Sequence, residues 1–279
     1  MLKKIVFILK KENVMAEIEE LLKELAGHGI EACFMEKSLS DCAGQSGEDA
    51  LYITDDADCQ KKLQSMGVPV VVYLHADNRE ENFSFTEYAI ENLAEIEYQS
   101  LELVWQRLTG RPWRITETEH CMIRETIVED VDSFYDIYKE SSITEYMEDL
   151  YADRDEEIAY IQDYIKNVYG FYGYGMWTVL DKESGKVIGR AGLSLREGYD
   201  IPELGFVIGV PWQRQGYAYE VCRAILEYGK EELDFTCFQA LIMKGNEKSK
   251  RLCEKLGFVY QEMVEIEGIV YERMVLDSK

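Results

Sequence analysis

Between Pro202 and Tyr228 the chain switches from strand-like to helix-like patterning across a turn of small residues, which suits either an ordinary strand-to-helix turn or an anion-binding one. The apolar run Leu204–Val210 stops at Pro211, so it suits a buried strand better than a long helix. Beyond the turn, Val221, Ala224, Ile225 and Tyr228 recur at i, i+3, i+4 and i+7, one apolar stripe of a helix. Between the two lie Gly216 and Ala218. A strand, a small-residue turn and a helix N-terminus together form an anion cradle, because free N–H groups converge there and the helix dipole adds roughly half a positive charge. The segment is not a Walker loop, since no Gly-Lys-Ser/Thr follows, nor does it hold the glycines of a dinucleotide fingerprint.

The C-terminal part reads as an ordered series from Cys121 on. Met122–Ile127 is a predicted strand, Val128–Lys139 an amphipathic helix, and Asp155–Val168 a second helix. Met176–Leu180 and Val187–Leu193 form a hairpin around Lys182–Lys186. After the strand and helix already described come a strand over Phe238–Met243, a helix over Asn246–Leu256 stopped by Gly257, and a terminal hairpin turning near Glu267-Gly268.

Gln213-x-x-Gly216-x-Ala218, followed by Asn246-x-x-Ser249 and then Cys253-Glu254-Lys255-Leu256-Gly257-Phe258, in this element order, resembles the GNAT acetyltransferases. Within that superfamily the opening Ile123-Arg124 strand, Ile188-Gly189 and Glu203-Leu204-Gly205 are most similar to the branch of ribosomal-protein N-terminal acetyltransferases. The resemblance implies acetyl-coenzyme A as co-substrate and direct acetyl transfer to a primary amine, of a peptide N-terminus or a small molecule. It implies pyrophosphate binding by Gln213, Arg214, Gln215, Gly216, Tyr217 and Ala218, and a pantetheine lying along Phe206, Val207, Ile208 and Val210. Asn246 and Ser249 would complete the cofactor site, although Ser249 in a first helical turn also suits a plain cap. Arg214 suits a phosphate contact or a solvated surface equally.

For the chemistry, a backbone N–H near Val207 or Ile208 is the expected oxyanion donor, at an opening that a bulge at Gly209–Pro211 would create. Glu203, at the start of the same strand, is the expected base for the incoming ammonium, or else one more solvated carboxylate. Many members carry a Tyr at the position of Cys253, where it protonates the leaving thiolate. Here Cys253 takes that role, or water does, or the thiolate leaves without a dedicated acid. Tyr146, Met147, Tyr172, Tyr174 and Trp177 are expected around the acceptor, or in the core. A second function class stays open: an acetyl-coenzyme A sensor that binds without turnover.

Residues 1–110 alternate strands and helices, which predicts a small doubly wound Rossmann-like α/β domain, joined by a linker at 111–120 to an α+β domain with a mixed, mostly antiparallel sheet at 121–279. Strands are expected over 5–9, 30–35, 51–54 and 68–74, and helices over 14–25, 58–66, 87–93 and 101–108, with a Ser/Gly-rich loop near 38–48. Trp113 is expected to anchor the two halves together. Tyr52–Asp56 with Gly67-Val68-Pro69 resembles part of the haloacid dehalogenase superfamily, in which acidic residues at the strand end help hold Mg²⁺. The nucleophile that such chemistry needs is missing, because Lys10-Lys11-Glu12 follow the first strand. Asp55 and Asp56 therefore read as a degenerate site or a solvated strand end.

A net charge of −24 disfavours a nucleic-acid partner and suits a cationic acceptor, or serves solubility. No apolar run reaches the roughly 18 residues of a membrane span. Seven cysteines without a Cys-x-x-Cys fit reduced thiols in a cytoplasm, and three histidines offer no metal cluster. An oligomer is neither required nor excluded.

Overall fold

The computed structural model describes residues 1–10, 14–35, 49–83 and 86–277, in two compact units, residues 1–113 and 114–279. The Ser/Gly-rich segment near 38–48 lies outside the described residues. The first unit is built on β1 (Lys4–Ile8), β2 (Glu31–Phe34), β3 (Ala50–Thr54), β4 (Val70–Tyr73) and β5 (Ala89–Ile90), all parallel, in the order β2-β1-β3-β4-β5. Its helices are α1 (Val14–Glu17), α2 (Glu19–Gly27), α3 (Ala57–Ser65) and α4 (Tyr98–Leu108).

Strand alternation sends Ile5, Phe7, Leu51 and Ile53 into one core with Leu21, Leu25, Leu101 and Trp105 of α2 and α4. Val6, Ile8 and Tyr52 point the other way, to Cys59 and Leu63 of α3. The helix expected at 87–93 is instead strand β5 and a short 3₁₀ turn at Leu93–Glu95. The free edge of β4 explains the difference: Val72 and Leu74 donate to the carbonyls of Tyr88 and Ile90, which a helix would have withheld. Trp113 turns back within the first unit, its indole N–H donating to the Leu103 carbonyl at 2.7 Å and the Arg107 guanidinium lying 3.7 Å over its ring.

Asp55 and Asp56 are both engaged. Asp55 is buried and accepts from the Lys10 backbone N–H at 2.7 Å and lies 3.2 Å from His75 Nε2. Asp56 caps α3 through the Cys59 N–H at 2.8 Å and pairs with the Lys10 ammonium.

The second unit carries β6 (Arg114–Glu117), β7 (Cys121–Arg124), β8 (Met176–Asp181), β9 (Val187–Ser194), β10 (Glu203–Ile208), β11 (Cys237–Met243), β12 (Val259–Ile266) and β13 (Ile269–Asp277). They form one sheet in the order β12-β13-β11-β10-β9-β8-β7-β6, antiparallel except for β10 with β11. Residues 114–117, within the segment read as a linker, are thus an edge strand of this sheet. One face is covered by α5 (Val131–Tyr138), α6 (Ser141–Thr144) and α7 (Arg154–Tyr164), whose last turn relaxes into a π-turn at Ile165–Tyr169 before the short α8 (Gly170–Tyr172). The other face carries α9 (Tyr217–Glu231), whose buried Val221, Ala224 and Ile225 each remove an apolar side chain from water, worth up to about 1.5–3 kcal/mol for the larger two. Finally, α10 (Glu247–Leu256) follows β11.

Candidate active site

The site begins where the sheet comes apart. β10 and β11 share a single register point, Glu203 with Gln239, and diverge beyond it. Along its other edge β10 is fully paired with β9, Val207 opposite Arg190 and Ile208 opposite Gly189. Because the Gly209 N–H donates to the Ile188 carbonyl, strand alternation turns the amide groups of Phe206 and Ile208 away from β9 and toward the gap. The Ile208 carbonyl is taken by the Gln213 side-chain amide at 2.9 Å. No bulge opens this edge: the β9–β10 register runs unbroken to Ile208, and Val210–Trp212 is a 3₁₀ turn. The divergence of β10 from β11 makes the opening instead.

At the end of the gap stands the turn into α9. Arg214 has φ 62° and Gly216 has φ 96°, two left-handed residues that curl the backbone before the helix starts. Gly216 is the N-cap and offers no side chain, and the first helical bond is Glu220 N–H to the Gly216 carbonyl. The N–H groups of Tyr217, Ala218 and Tyr219 therefore point out of the helix without an intrahelical acceptor. A Cβ on Gly216 would meet nothing within 4 Å, so the glycine is required by its φ and the space before it is open.

These features line a cleft of about 1230 Å³. Of the residues expected at a cofactor, Phe206, Val207, Ile208, Gln213, Arg214, Gly216, Ala218, Asn246 and Ser249 line it, as does Glu203. Val210, Gln215 and Tyr217 do not. Gln215 folds back on the Pro211 carbonyl at 2.8 Å, and Tyr217 stacks edge-on with Trp212 and donates to Asp181. Asn246 caps α10 by accepting the Ser249 N–H at 3.2 Å. Lys248 and Lys255 also line the cleft, the second with its ammonium 4.0 Å over the Tyr219 ring.

Cys253 lies elsewhere. It is fully buried on the inner side of α10, and burial first, then the Glu254 charge, pushes its thiol up to about 12. A thiol off the cleft has no path to a proton acceptor in it. Glu203 is gripped by Arg196, with Nε 2.7 Å from one carboxylate oxygen.

On the acceptor side, Tyr146 and Met147 line the cleft whereas Tyr172, Tyr174 and Trp177 do not. Trp177 is fully buried and packs edge-on against Tyr228 of α9. Residues that the sequence reading passed over also line it: Tyr138, Glu157, Tyr160, Tyr164 and Arg190. One signal was present, a lone arginine inside the apolar run Val187–Leu193. Among the described residues no group of three or more His, Cys, Asp or Glu could hold a metal ion, and no helix is long and apolar enough to cross a membrane.

Comparison with known proteins gives the family of the second unit. The acetyltransferase (GNAT) domain profile matches residues 120–259, half of the chain, and the chain belongs to that family. It is 35% identical over 95 residues to the uncharacterized protein YkkB of Bacillus subtilis, a match covering 33% of this chain and 55% of YkkB, so little more than half of that relative is spanned. It is 25% identical over 150 residues to the uncharacterized N-acetyltransferase YoaA of the same organism, covering 52% of this chain and 82% of that protein. A ribosomal-protein-S5-alanine acetyltransferase from Vibrio fischeri shares the fold over 58% of this chain and 96% of its own, at 15% identity and a TM-score of 0.50. The family match lies in the second unit, and the likeness of the first unit to the haloacid dehalogenase superfamily gains no support from it.

Proposed function

We propose that the second unit is an acetyl-coenzyme A-dependent N-acetyltransferase that passes acetyl directly to a primary amine. The observation that carries this reading is the wedge between β10 and β11 running into an uncapped, left-handed turn at the head of a 15-residue helix. An extended pantetheine with amides of its own fits beside a strand whose Phe206 and Ile208 amide groups face the gap. A pyrophosphate fits the N–H groups of Tyr217, Ala218 and Tyr219, and the open space at Gly216 leaves room for it. Arg214, Lys248 and Lys255 bring positive charge to this end of the cleft, in a chain of net charge −24.

The bound thioester supplies the acetyl group. Glu203, at the apex of the wedge, takes a proton from the incoming ammonium, directly or through water. The Ile208 N–H, on the gap side of β10, donates to the carbonyl oxygen as charge develops there. The nitrogen–carbon bond forms, the carbon–sulfur bond breaks, and the thiolate leaves without a dedicated acid, since Cys253 is out of reach. As the amide forms the nitrogen gives up a second proton, which neutralises the thiolate through solvent, and Glu203 returns the first to water.

Titration calorimetry with acetyl-coenzyme A on the wild type and on Gly216→Arg tests the cofactor, and free-thiol release with candidate amines tests turnover. Micromolar binding abolished by the substitution, with amine-dependent thiol release, supports the transferase. Binding without release points to the sensor reading, and no binding removes both.

A further inference from the structure

Strand alternation puts Glu203, Gly205 and Val207 of β10 on one face with Arg190, Gly192 and Ser194 of β9. Gly205 stands opposite Gly192 on that face, where the Met176 thioether covers it, Sδ lying 3.0 Å from the place a Gly205 Cβ would take, and Val207 packs against α5 and α6. Arg190 stands on the same face, opposite Val207. Its guanidinium lies 4.7 Å over the Phe134 ring, and only 8% of the residue is exposed. Tyr138, Tyr160 and Tyr164 share its surroundings, and burial raises all three phenols while the Arg190 charge opposes the rise.

What Arg190 lacks is an anion. Among the described residues no carboxylate lies within ion-pair distance of it, and its buried Nε has no hydrogen-bond partner. Asp130, which accepts from Thr178 directly beside Arg190 on β8, is already committed with both oxygens to Arg124. A buried guanidinium is costly unless something anionic completes it. Glu157, 2% exposed and in the same cleft, is its counterpart: one oxygen accepts the Tyr151 N–H at 3.1 Å and the other, Oε1, has no partner. The two charges do not pair with each other. A molecule carrying both signs completes both.

We propose that the acceptor is a small zwitterionic amine of amino-acid type, whose carboxylate is held by Arg190. This rests on the acetyltransferase reading above. A zwitterion has no net charge to be repelled by the acidic chain, whereas an acidic peptide is disfavoured. Arg190 offers planar, two-pronged recognition of a carboxylate, which a lysine does not.

The test is thiol release from acetyl-coenzyme A with three sets of acceptors: free amino acids, the same amino acids as carboxamides, and dipeptides with an acidic second residue. At least one free amino acid should be turned over tenfold or more better in kcat/KM than its carboxamide. Arg190→Gln should erase that preference chiefly through acceptor KM, and Arg190→Lys should restore it only in part, both with unchanged calorimetric affinity for acetyl-coenzyme A. As a readout that a merely structural arginine would not move, the preferred amino acid should raise the melting midpoint of the wild type and not of Arg190→Gln. A wild type that binds acetyl-coenzyme A yet uses carboxamides equally well overturns this inference alone, as does a carboxylate preference that survives Arg190→Gln. Preference for acidic dipeptides over every free amino acid overturns the small-molecule assignment. Absence of acetyl-coenzyme A binding overturns the transferase reading instead, which calorimetry registers separately.

Discussion

Arg196 holds Glu203 with two prongs, Nε 2.7 Å from Oε2 and Nη2 3.4 Å from Oε1, at the one point where β10 and β11 are paired. The proposed base is therefore held by a guanidinium that lines the same cleft. Glu203→Gln keeps the volume and a hydrogen bond to Arg196 but removes the proton acceptor. It should lower kcat by about 10²-fold with the affinity for acetyl-coenzyme A unchanged. Steady-state kinetics beside calorimetry reads both, and an unaltered kcat would reduce Glu203 to a clasp on the sheet.

Gly216 at φ 96° should tolerate Ala for folding far better than for binding. A left-handed conformation costs an L-residue about 1–2 kcal/mol, and no atom of the protein lies within 4 Å of the added Cβ. Gly216→Ala should thus cost about 1–2 kcal/mol of stability while still folding, whereas Gly216→Val should weaken acetyl-coenzyme A by tenfold or more, because the branched side chain occupies the cradle. Equal affinity in all three proteins would place the phosphates elsewhere.

Cys253 should prove dispensable for transfer. Fully buried and with its thiol pushed up to about 12, it stays neutral and off the cleft. Cys253→Ala should leave kcat within about twofold of wild type at a stability cost of about 1 kcal/mol, the usual size for a small core truncation. A hundredfold fall in kcat with the fold intact would restore it as an acid.

The turn from β10 into α9 was legible in the sequence because each part of it is local: an apolar run, a proline, one glycine and a stripe at helical spacing. The acceptor side was not, for two reasons. Trp177 flanks the cleft in sequence, but Met176 and Thr178 carry the face toward α5, so alternation sends Trp177 to α9. Arg190 was visible as a charge in an apolar strand, yet its lack of a counter-ion depends on where Asp130 and Glu157 fall, which sequence spacing does not encode. The helix expected at 87–93 failed likewise, because the deciding hydrogen bonds run to β4, a distant segment.

Asp130 should be a stability determinant of the second unit. It is 4% exposed and receives two guanidinium N–H groups of Arg124 at 2.7 Å each, the Ile127 N–H at 3.1 Å and the Thr178 hydroxyl at 2.8 Å. Removing one partner of a buried pair strands the other, at a cost of about 3–5 kcal/mol. Asp130→Ala should therefore lower the melting temperature by roughly 10 °C at about 2–4 °C per kcal/mol for a unit of this size. A shift under about 2 °C would mean that water replaces the carboxylate freely.

The surface pair His120–Glu220 should make stability depend on pH in one direction. His120 Nδ1 lies 3.0 Å from Glu220, whose other oxygen accepts the His120 backbone N–H at 2.8 Å. The side-chain hydrogen bond to Glu220, and then its charge, raise the His120 pKa above the ordinary value of about 6.5. Partial burial opposes ionisation of Glu220, but hydrogen bonds from Thr118 and His120 outweigh it, so Glu220 stays charged in mild acid. A group whose pKa is higher folded than unfolded contributes fully below its unfolded value and loses that contribution as pH rises through the folded one. Wild type should thus exceed His120→Gln in urea midpoint at pH 5.5, and the gap should close by pH 8.5. Since the His120 side chain is 54% exposed, the gap should also shrink as salt is added. A difference independent of pH would assign the contribution to packing of His120 against Tyr217, whose rings meet edge-on at 6.1 Å, and not to charge.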